Sequence, residues 1–484
     1  MEFESVIGLE VHAQLLTRSK IFCSCSTQFG APSNSNTCPV CLGLPGALPV
    51  LNQESVGMAI KAGLALNCHI NPVSVFARKN YFYPDLPKGY QISQFDLPVA
   101  QKGKIEVMVG DRVNSGNIAS YQRKSFGITR VHLEEDAGKS IHAEGKTSYV
   151  DLNRAGVALI EIVSEPDFRS SQEAYDYLNH LRRILLYLKI CDGSMEEGSL
   201  RCDANVSVRE QGSEILGTKT EIKNLNSFRF LQKGLDYEIQ RQIDLIERGH
   251  RIEQETRLWD EQIQKTIVMR TKEEAHDYRY FPEPDLLPVV ISEEWLGRIK
   301  LEIPELPGQR WQRFIDEYCF SEEEALLITQ NREFADYFES VVKSYNQPKI
   351  IFNWMVGDLT YYLKKDNKKV LDCAVRPECL ADLIRFIDEG KISGKIAKKV
   401  FDQMYKTGET PEKIISHLGL RQISNEEELE KIIENVIELN PEKVKAYQSG
   451  KSGLIGFFMG QVMKESEGQA NPNLVNQILK GKLD

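Results

Sequence analysis

No run in the chain approaches the ~18 apolar residues that a membrane-spanning helix needs, so no membrane segment is expected. The opening residues, MEFESVIGLE, carry neither the cationic start nor the apolar stretch of an export signal. The expectation is a cytoplasmic protein whose ten cysteines are reduced thiols. Two nucleotide-binding fingerprints are missing as well. Neither G-x-x-x-x-G-K-S/T nor G-x-G-x-x-G occurs, which excludes the common phosphate loop and dinucleotide-binding turn. Internal repeats and low-complexity tracts are absent. No glutaminase-type nucleophile signature stands out. Positive charge is in deficit: 60 Lys and Arg face 70 Asp and Glu, a net charge of −10. That argues against indiscriminate nucleic-acid binding, which needs a basic field. It leaves room for a local basic patch serving one specific RNA.

What is present points to an α+β protein of several domains, because 484 residues exceed what one core holds. Residues 1–293 are dense in Gly and Pro and rich in short alternating runs such as KIEVMV, GITRVHLEED, RCDANVSVR and TKTEIKNL. Such runs predict a largely antiparallel sheet. Two stretches with helical spacing interrupt it, at 170–188 and 227–249. A Pro-rich joint, IPELPGQR, follows, and residues 294–405 read as helical. Residues 406–484 read as a small tail of short helices punctuated by Pro and Gly. Within the tail, GKSGLIGFFMGQVMKESEGQANP sets Gly, Gln, Lys and Asn on a short apolar helix. It reads either as helix-capping turns or as a surface for another macromolecule.

The stretch IGLEVHAQL, residues 7–15, alternates apolar residues with Gly, Glu, His and Gln. Period two puts Glu10 and His12 on one face of a strand, opposite Leu9, Val11 and Ala13. RCDANVSVR repeats the pattern: Arg201, Asp203 and Asn205 share one face, Cys202, Ala204 and Val206 the other. Glu161 sits inside the apolar run LIEIV, and Glu135 shares its period-two face with Val131 and Leu133. Buried carboxylates are costly unless paired or metal-bound. Acidic residues also gather at Glu134, Asp136, Asp151 and Glu196. Lys79, Arg130, Lys139, Arg154, Arg201, Lys219 and Lys223 supply positive charge. Acids for Mg²⁺ beside bases for phosphate are the kit of phosphoryl transfer. The competing reading is a set of ordinary ion pairs.

Four cysteines fall within 19 residues: Cys23, Cys25, Cys38 and Cys41. A C-x-C and a C-x-x-C suit a closed tetrahedral Zn²⁺ site that pins a loop. The alternative is four free structural thiols.

Several long stretches together resemble one family, the GatB component of the tRNA-dependent amidotransferase GatCAB. They are VIGLEVHAQL, KNYFYPDLPKGYQISQ, HLEEDAGKS, DLNRAGVALIEIVSEPD, MEEGSLRCDANVSVR, IKNLNSFR, ETRLWDE, DYRYFPEPDL and the GKSGLIGFFMGQ stretch. The resemblance implies a cradle domain related to the glutamine-synthetase fold, then a helical domain and a tail that bind tRNA. It implies ATP-dependent phosphorylation of the side-chain carboxylate of misacylated Glu-tRNA(Gln), and of Asp-tRNA(Asn), followed by amidation. An amidase partner with glutaminase activity, GatA, would supply ammonia through a tunnel, and a small third partner, GatC, would tie the heterotrimer together. Carried over by residue, the Mg²⁺ and catalytic set is Glu10, His12, Glu135, Glu161 and Asp203, with Glu134, Glu196 and Asn205 close by. Lys79 is assigned to phosphate or the acceptor end. Arg154, Arg201, Asn205 and Lys219 are assigned to ATP. The zinc quartet occurs in some members, and all four of its positions are Cys here. An archaeal-type relative would carry an inserted domain, for which the joint ISEEWLGRIKLEIPELP leaves no room. Two rivals are a free-standing carboxylate–amine ligase and a non-catalytic, tRNA-binding member of the same assembly. The ~190 helical residues that follow the sheet domain count against the ligase.

Overall fold

A computed structural model describes residues 2–112, 118–142, 147–271, 278–419, 426–466 and 470–483. Asp277 of DYRYFPEPDL and Glu467, Gly468 and Gln469 of the C-terminal stretch lie outside the described residues. The chain divides into two units, Met1–Arg310 and Trp311–Asp484.

The first unit is built on a nine-stranded sheet. Its centre runs Thr220–Lys223, Leu200–Glu210, Phe3–Gln14, Ala158–Ser164, Ile118–Glu135 and Ala100–Arg112 in spatial order. These neighbours pair antiparallel throughout. The alternation read from IGLEVHAQL is realised: Ile7, Leu9, Val11 and Ala13 are buried, while Gly8, Glu10, His12 and Gln14 are half-buried on the other face. Both expected helices form, as Ser171–Tyr187 and Phe228–Glu247. Ser170 and Ser227 cap them, each accepting a backbone N–H at 3.1 Å. Tyr177, Leu181 and Leu185 from one helix and Leu231 and Leu235 from the other join Leu9 and Val11 in one core. The helix Gln53–Ala65 adds Val56, Ala59 and Ile60 to it. Helices thus cover one face of the sheet and leave the other for polar groups. A smaller sheet, Phe281–Pro282, Phe76–Asn80 and Tyr90–Gln94, meets the end of Ile118–Glu135, where Gln91 donates to the Glu135 carbonyl at 2.7 Å.

The second unit is helical among its described residues. Phe314, Phe320 and Phe338 interlock in its first part, with ring centroids 5.4–6.4 Å apart. Residues Pro348–Lys365 run as one helical stretch with a π-helical turn at Met355–Leu359, where the Thr360 hydroxyl donates to the Met355 carbonyl at 2.7 Å. Residues 429–483 hold a core of their own, with Leu429, Ile433, Phe458, Val462, Val475 and Leu479 buried. No helix among the described residues is long and apolar enough to cross a membrane.

Candidate active site

Strand register assembles the polar floor. Directly paired residues share a face. His12 is paired with Glu161 on one side and Arg201 on the other, and Glu161 is paired in turn with His132. Glu10 lies opposite Asp203, Gly8 opposite Asn205, and Leu159 opposite Glu134. Four strands distant in sequence therefore converge on one patch.

At its centre the His12 Nε2 atom lies 3.3 Å from Glu161 and 3.5 Å from Glu134. The His132 Nε2 atom reaches the same Glu161 oxygen at 3.3 Å. Glu134 and Glu161 are buried. Burial alone would raise the Glu161 carboxyl, but His132 and His12 outweigh it and hold the group well below the usual carboxylate range. Burial lowers the His12 imidazolium, and the hydrogen bond and charge of Glu161, with Glu134, reverse this and bring it up to about 9. Glu10, unlike Glu161, is raised: burial first, then the charges of Glu161 and Glu221, push it up. Its Oε1 accepts from Asn205 at 3.0 Å. Asp203 is tied to Lys223 at 2.6 Å, and Lys223 also reaches Glu221 at 2.9 Å.

Positive charge borders this group. The Lys79 ammonium is lowered by burial but raised more by Glu134, Tyr280 and Glu161, so it stays protonated. It stands 4.9 Å over the Tyr278 ring. Arg201 is clamped to Asp136 at 2.6 Å, and Asp136 also accepts from Gln14 at 2.8 Å. Among the described residues, two buried guanidinium nitrogens bordering the floor have no hydrogen-bond partner: Arg130 Nε and Arg201 Nε. Unpaired buried donors are rare, and these suit an anionic ligand.

The residues read from the sequence do not all meet here. Glu10, His12, Glu161 and Asp203 do, with Arg201, Asn205 and Lys79 alongside. Glu135 does not. It follows Glu134 directly, so the pleat turns it to the other side of the strand. There it binds the Lys88 ammonium and accepts the Ile92 N–H at 2.8 Å. Arg154 donates to the Ala137 and Gly138 carbonyls at 3.0 and 2.6 Å, holding the turn after Asp136. Lys219 lines a cleft of about 290 Å³ with Glu10 and Asn205, at the rim of the floor. Glu196 is exposed in the turn before Leu200–Glu210. His132, Gln14, Lys88 and the Tyr278–Tyr280 wall were not singled out from the sequence. His132 was within reach, because counting back by two from Glu134 lands on it.

One ligand atom each from His12, Glu134 and Glu161 lies within 4.8 Å of the others, a spread that one cation can bridge. Three protein ligands, two of them carboxylates, leave positions for phosphate oxygens. The cysteine sulfurs form a second such group, also within 4.8 Å of one another. Tetrahedral Zn–S bonds of about 2.3 Å place sulfurs about 3.8 Å apart, and Cys38 and Cys41 are 3.9 Å apart. The Cys38 N–H donates to the Cys41 sulfur at 3.1 Å. Cys41 is pulled down to about 4, chiefly by the Cys23 thiol and further by the Cys38 N–H and the Lys20 ammonium. Burial pushes Cys25 up to about 11. The loop is pinned by Asn34, whose amide donates to the Val150 carbonyl at 3.0 Å and accepts from Leu152 N–H at 2.7 Å. Between this loop and Glu135 lies a cavity of about 140 Å³ lined by Phe22, Cys23, Cys41, Lys88 and Tyr90.

Comparison with known proteins matches these parts to one family. Residues 5–297 match the GatB/GatE catalytic domain, and residues 336–483 match the GatB domain. The chain is 54% identical over 479 residues to the B subunit of the aspartyl/glutamyl-tRNA(Asn/Gln) amidotransferase of Thermodesulfovibrio yellowstonii, covering 99% of each chain. The proteins of the same description from Geotalea daltonii and Carboxydothermus hydrogenoformans are also 54% identical, each covering all of this chain and at least 99% of its own length. The chain therefore belongs to the GatB/GatE family.

Proposed function

We propose that this chain is the kinase and transamidase component of a tRNA-dependent amidotransferase. It acts on Glu-tRNA(Gln) and Asp-tRNA(Asn), the substrates in its relatives' names. The observation that carries this reading is the convergence of His12, Glu134 and Glu161 beside Lys79. A carboxylate is a poor electrophile and needs a leaving group before an amine can displace oxygen. In the first step a side-chain carboxylate oxygen of the aminoacyl ester attacks the γ-phosphorus of ATP, and the bond to ADP breaks. In the second step ammonia attacks the acyl carbon and phosphate leaves, giving the amide.

The residues divide this work. His12, Glu134 and Glu161 would hold a divalent cation, with Glu10 and Asp203 flanking it. Bound there, Mg²⁺ neutralises the charge of two anions brought together. Lys79 binds the transferred phosphoryl oxygens. Arg201, fixed by Asp136, and the free Nε of Arg130 take further anionic oxygens. Phosphoryl transfer of this kind is mainly positioning and charge neutralisation. An acyl phosphate hydrolyses readily, so the floor must be shielded from water. The antiparallel cradle then serves as in the glutamine-synthetase fold, the four cysteines hold a structural Zn²⁺, and residues 294–405 and 406–484 carry the tRNA. No glutaminase nucleophile signature stands out in the sequence, and ammonia comes from the amidase partner GatA, held to this chain by the small partner GatC.

The product of nucleotide turnover tests the chemistry. With the partner chains, ATP, Mg²⁺ and Glu-tRNA(Gln) but no ammonia donor, charged tRNA should stimulate release of ADP. Release of AMP would mean adenylate chemistry and overturn the mechanism. No stimulation would leave the chain a tRNA holder.

A further inference from the structure

Lys20 is fully buried. A buried ammonium is tolerated only beside a compensating anion and hydrogen-bond acceptors. Among the described residues no carboxylate lies within 4.0 Å of its Nζ. The nitrogen instead donates to the Cys41 sulfur at 3.5 Å and to the Leu152 carbonyl at 3.3 Å. A carboxylate of the same corner, Glu135, is taken by a second, half-buried lysine, Lys88. Gly156 sits between the two pairs: a Cβ there would lie 3.5 Å from Lys20 Cδ and Cys41 Cβ and 3.9 Å from Glu135 Oε2. Two lysines and two anionic acceptors thus share one corner of the fold, each lysine with its own partner.

Four thiolates around a divalent cation carry a net charge of −2, in a loop where Cys41 is buried. We propose that Lys20 is the internal counter-cation of the cysteine metal site, halving that charge through Cys41 and fixing the Cys41 ligand to the Asp151–Asn153 turn. This rests on the reading that the four cysteines bind one metal ion. Lys20 is then a positioning residue for the metal and takes no part in phosphoryl transfer. Its backbone adds to the same task, since the Lys20 N–H donates to the Cys25 carbonyl at 3.0 Å and the Ile21 N–H to the Gly156 carbonyl at 2.9 Å.

The test uses the purified full chain, stripped of metal under reducing conditions and titrated with Co²⁺, then with Zn²⁺ against a chromophoric chelator. Wild type should bind one Co²⁺ with an intense sulfur-to-cobalt charge-transfer band and tetrahedral visible bands. Failure of that result would remove the cysteine-site reading, and this proposal with it. Given that result, Lys20→Met should lower metal affinity roughly 10–100-fold, the usual effect of removing a group that contacts a ligand. Its charge-transfer band should move to longer wavelength, because the Cys41 sulfur becomes more electron-rich. Lys20→Arg, which keeps the charge, should recover most of the affinity and the band. A purely structural role would lower stability without moving the band. Unchanged affinity and band in Lys20→Met would overturn the proposal. If Lys20→Met does not fold, Lys20→Gln against Lys20→Arg decides, and equal affinities and bands in those two would overturn it equally.

Discussion

Among the described residues, two groups in the first unit can hold a cation, and they are made in opposite ways. The cysteine quartet is local: four soft ligands drawn from 19 residues, wrapped by their own loop. The His12–Glu134–Glu161 group is assembled from three strands more than a hundred residues apart at the extremes, and strand register alone brings it together. The first would offer a cation four protein ligands, as closed structural zinc sites do. The second leaves positions for substrate and sits beside Lys79 and Arg201. A closed local site stabilises a loop, whereas an open long-range site is placed for chemistry.

The comparison breaks most sharply at Glu161. Glu161→Gln should lower the tRNA-stimulated release of ADP by about 10²–10³-fold, the cost of losing one preorganised charged group in a buried site. A change of less than threefold in steady-state turnover would place the chemistry elsewhere.

A finer cut separates two neighbours. Glu134 faces the floor and Glu135 faces Lys88. Glu134→Gln should lower turnover by about 10²-fold with little change in stability. Glu135→Gln leaves the half-buried Lys88 ammonium without its counter-charge, and should cost about 3 kcal/mol in urea unfolding. Identical behaviour of the two variants would erase the distinction.

On the other side of the comparison, Cys41→Ser should destabilise residues 20–50 by roughly 3 kcal/mol, since losing a metal site is among the larger single-residue effects. Hydrogen exchange should quicken in that loop and stay slow in the sheet. Uniform protection after metal removal would contradict a structural zinc.

The smallest effect concerns pH in metal-free protein. The folded His12 imidazolium stands at about 9 against an ordinary 6.5. A raised value means stability that is complete below pH 6.5 and is lost as pH rises through 9. The loss should be on the order of 2 kcal/mol. Denaturant midpoints at pH 6 and pH 9.5 measure it, and His12→Gln should remove the difference.

The sheet face was legible because period two is a local signal. Glu10, His12, Asp203 and Asn205 could be placed on one face from their own strands. The two helices were legible through their spacing, with Ser170 and Ser227 at their starts. Glu134 against Glu135 was only half legible. Period two already set Glu135 with Val131 and Leu133, but only pairing with Ala158 and Leu159 shows that Glu134 is the one that faces His12. Arg154 looked like a ligand binder by charge, yet its guanidinium is used on two carbonyls of a turn and on Asp136 at 3.6 Å, which no spacing announces. Lys20 carried no signal at all, because its partner Cys41 is 21 residues away and its burial follows from the loop closing over it.

The most direct measurement compares ADP release by the wild-type, Glu161→Gln and Cys41→Ser chains, each with its partner chains, ATP, Mg²⁺ and Glu-tRNA(Gln). The account predicts that charged tRNA stimulates the wild type, that Cys41→Ser keeps most of this rate wherever it remains folded, and that Glu161→Gln loses it. Full activity in Glu161→Gln would contradict the assignment of the sheet floor as the phosphoryl-transfer site.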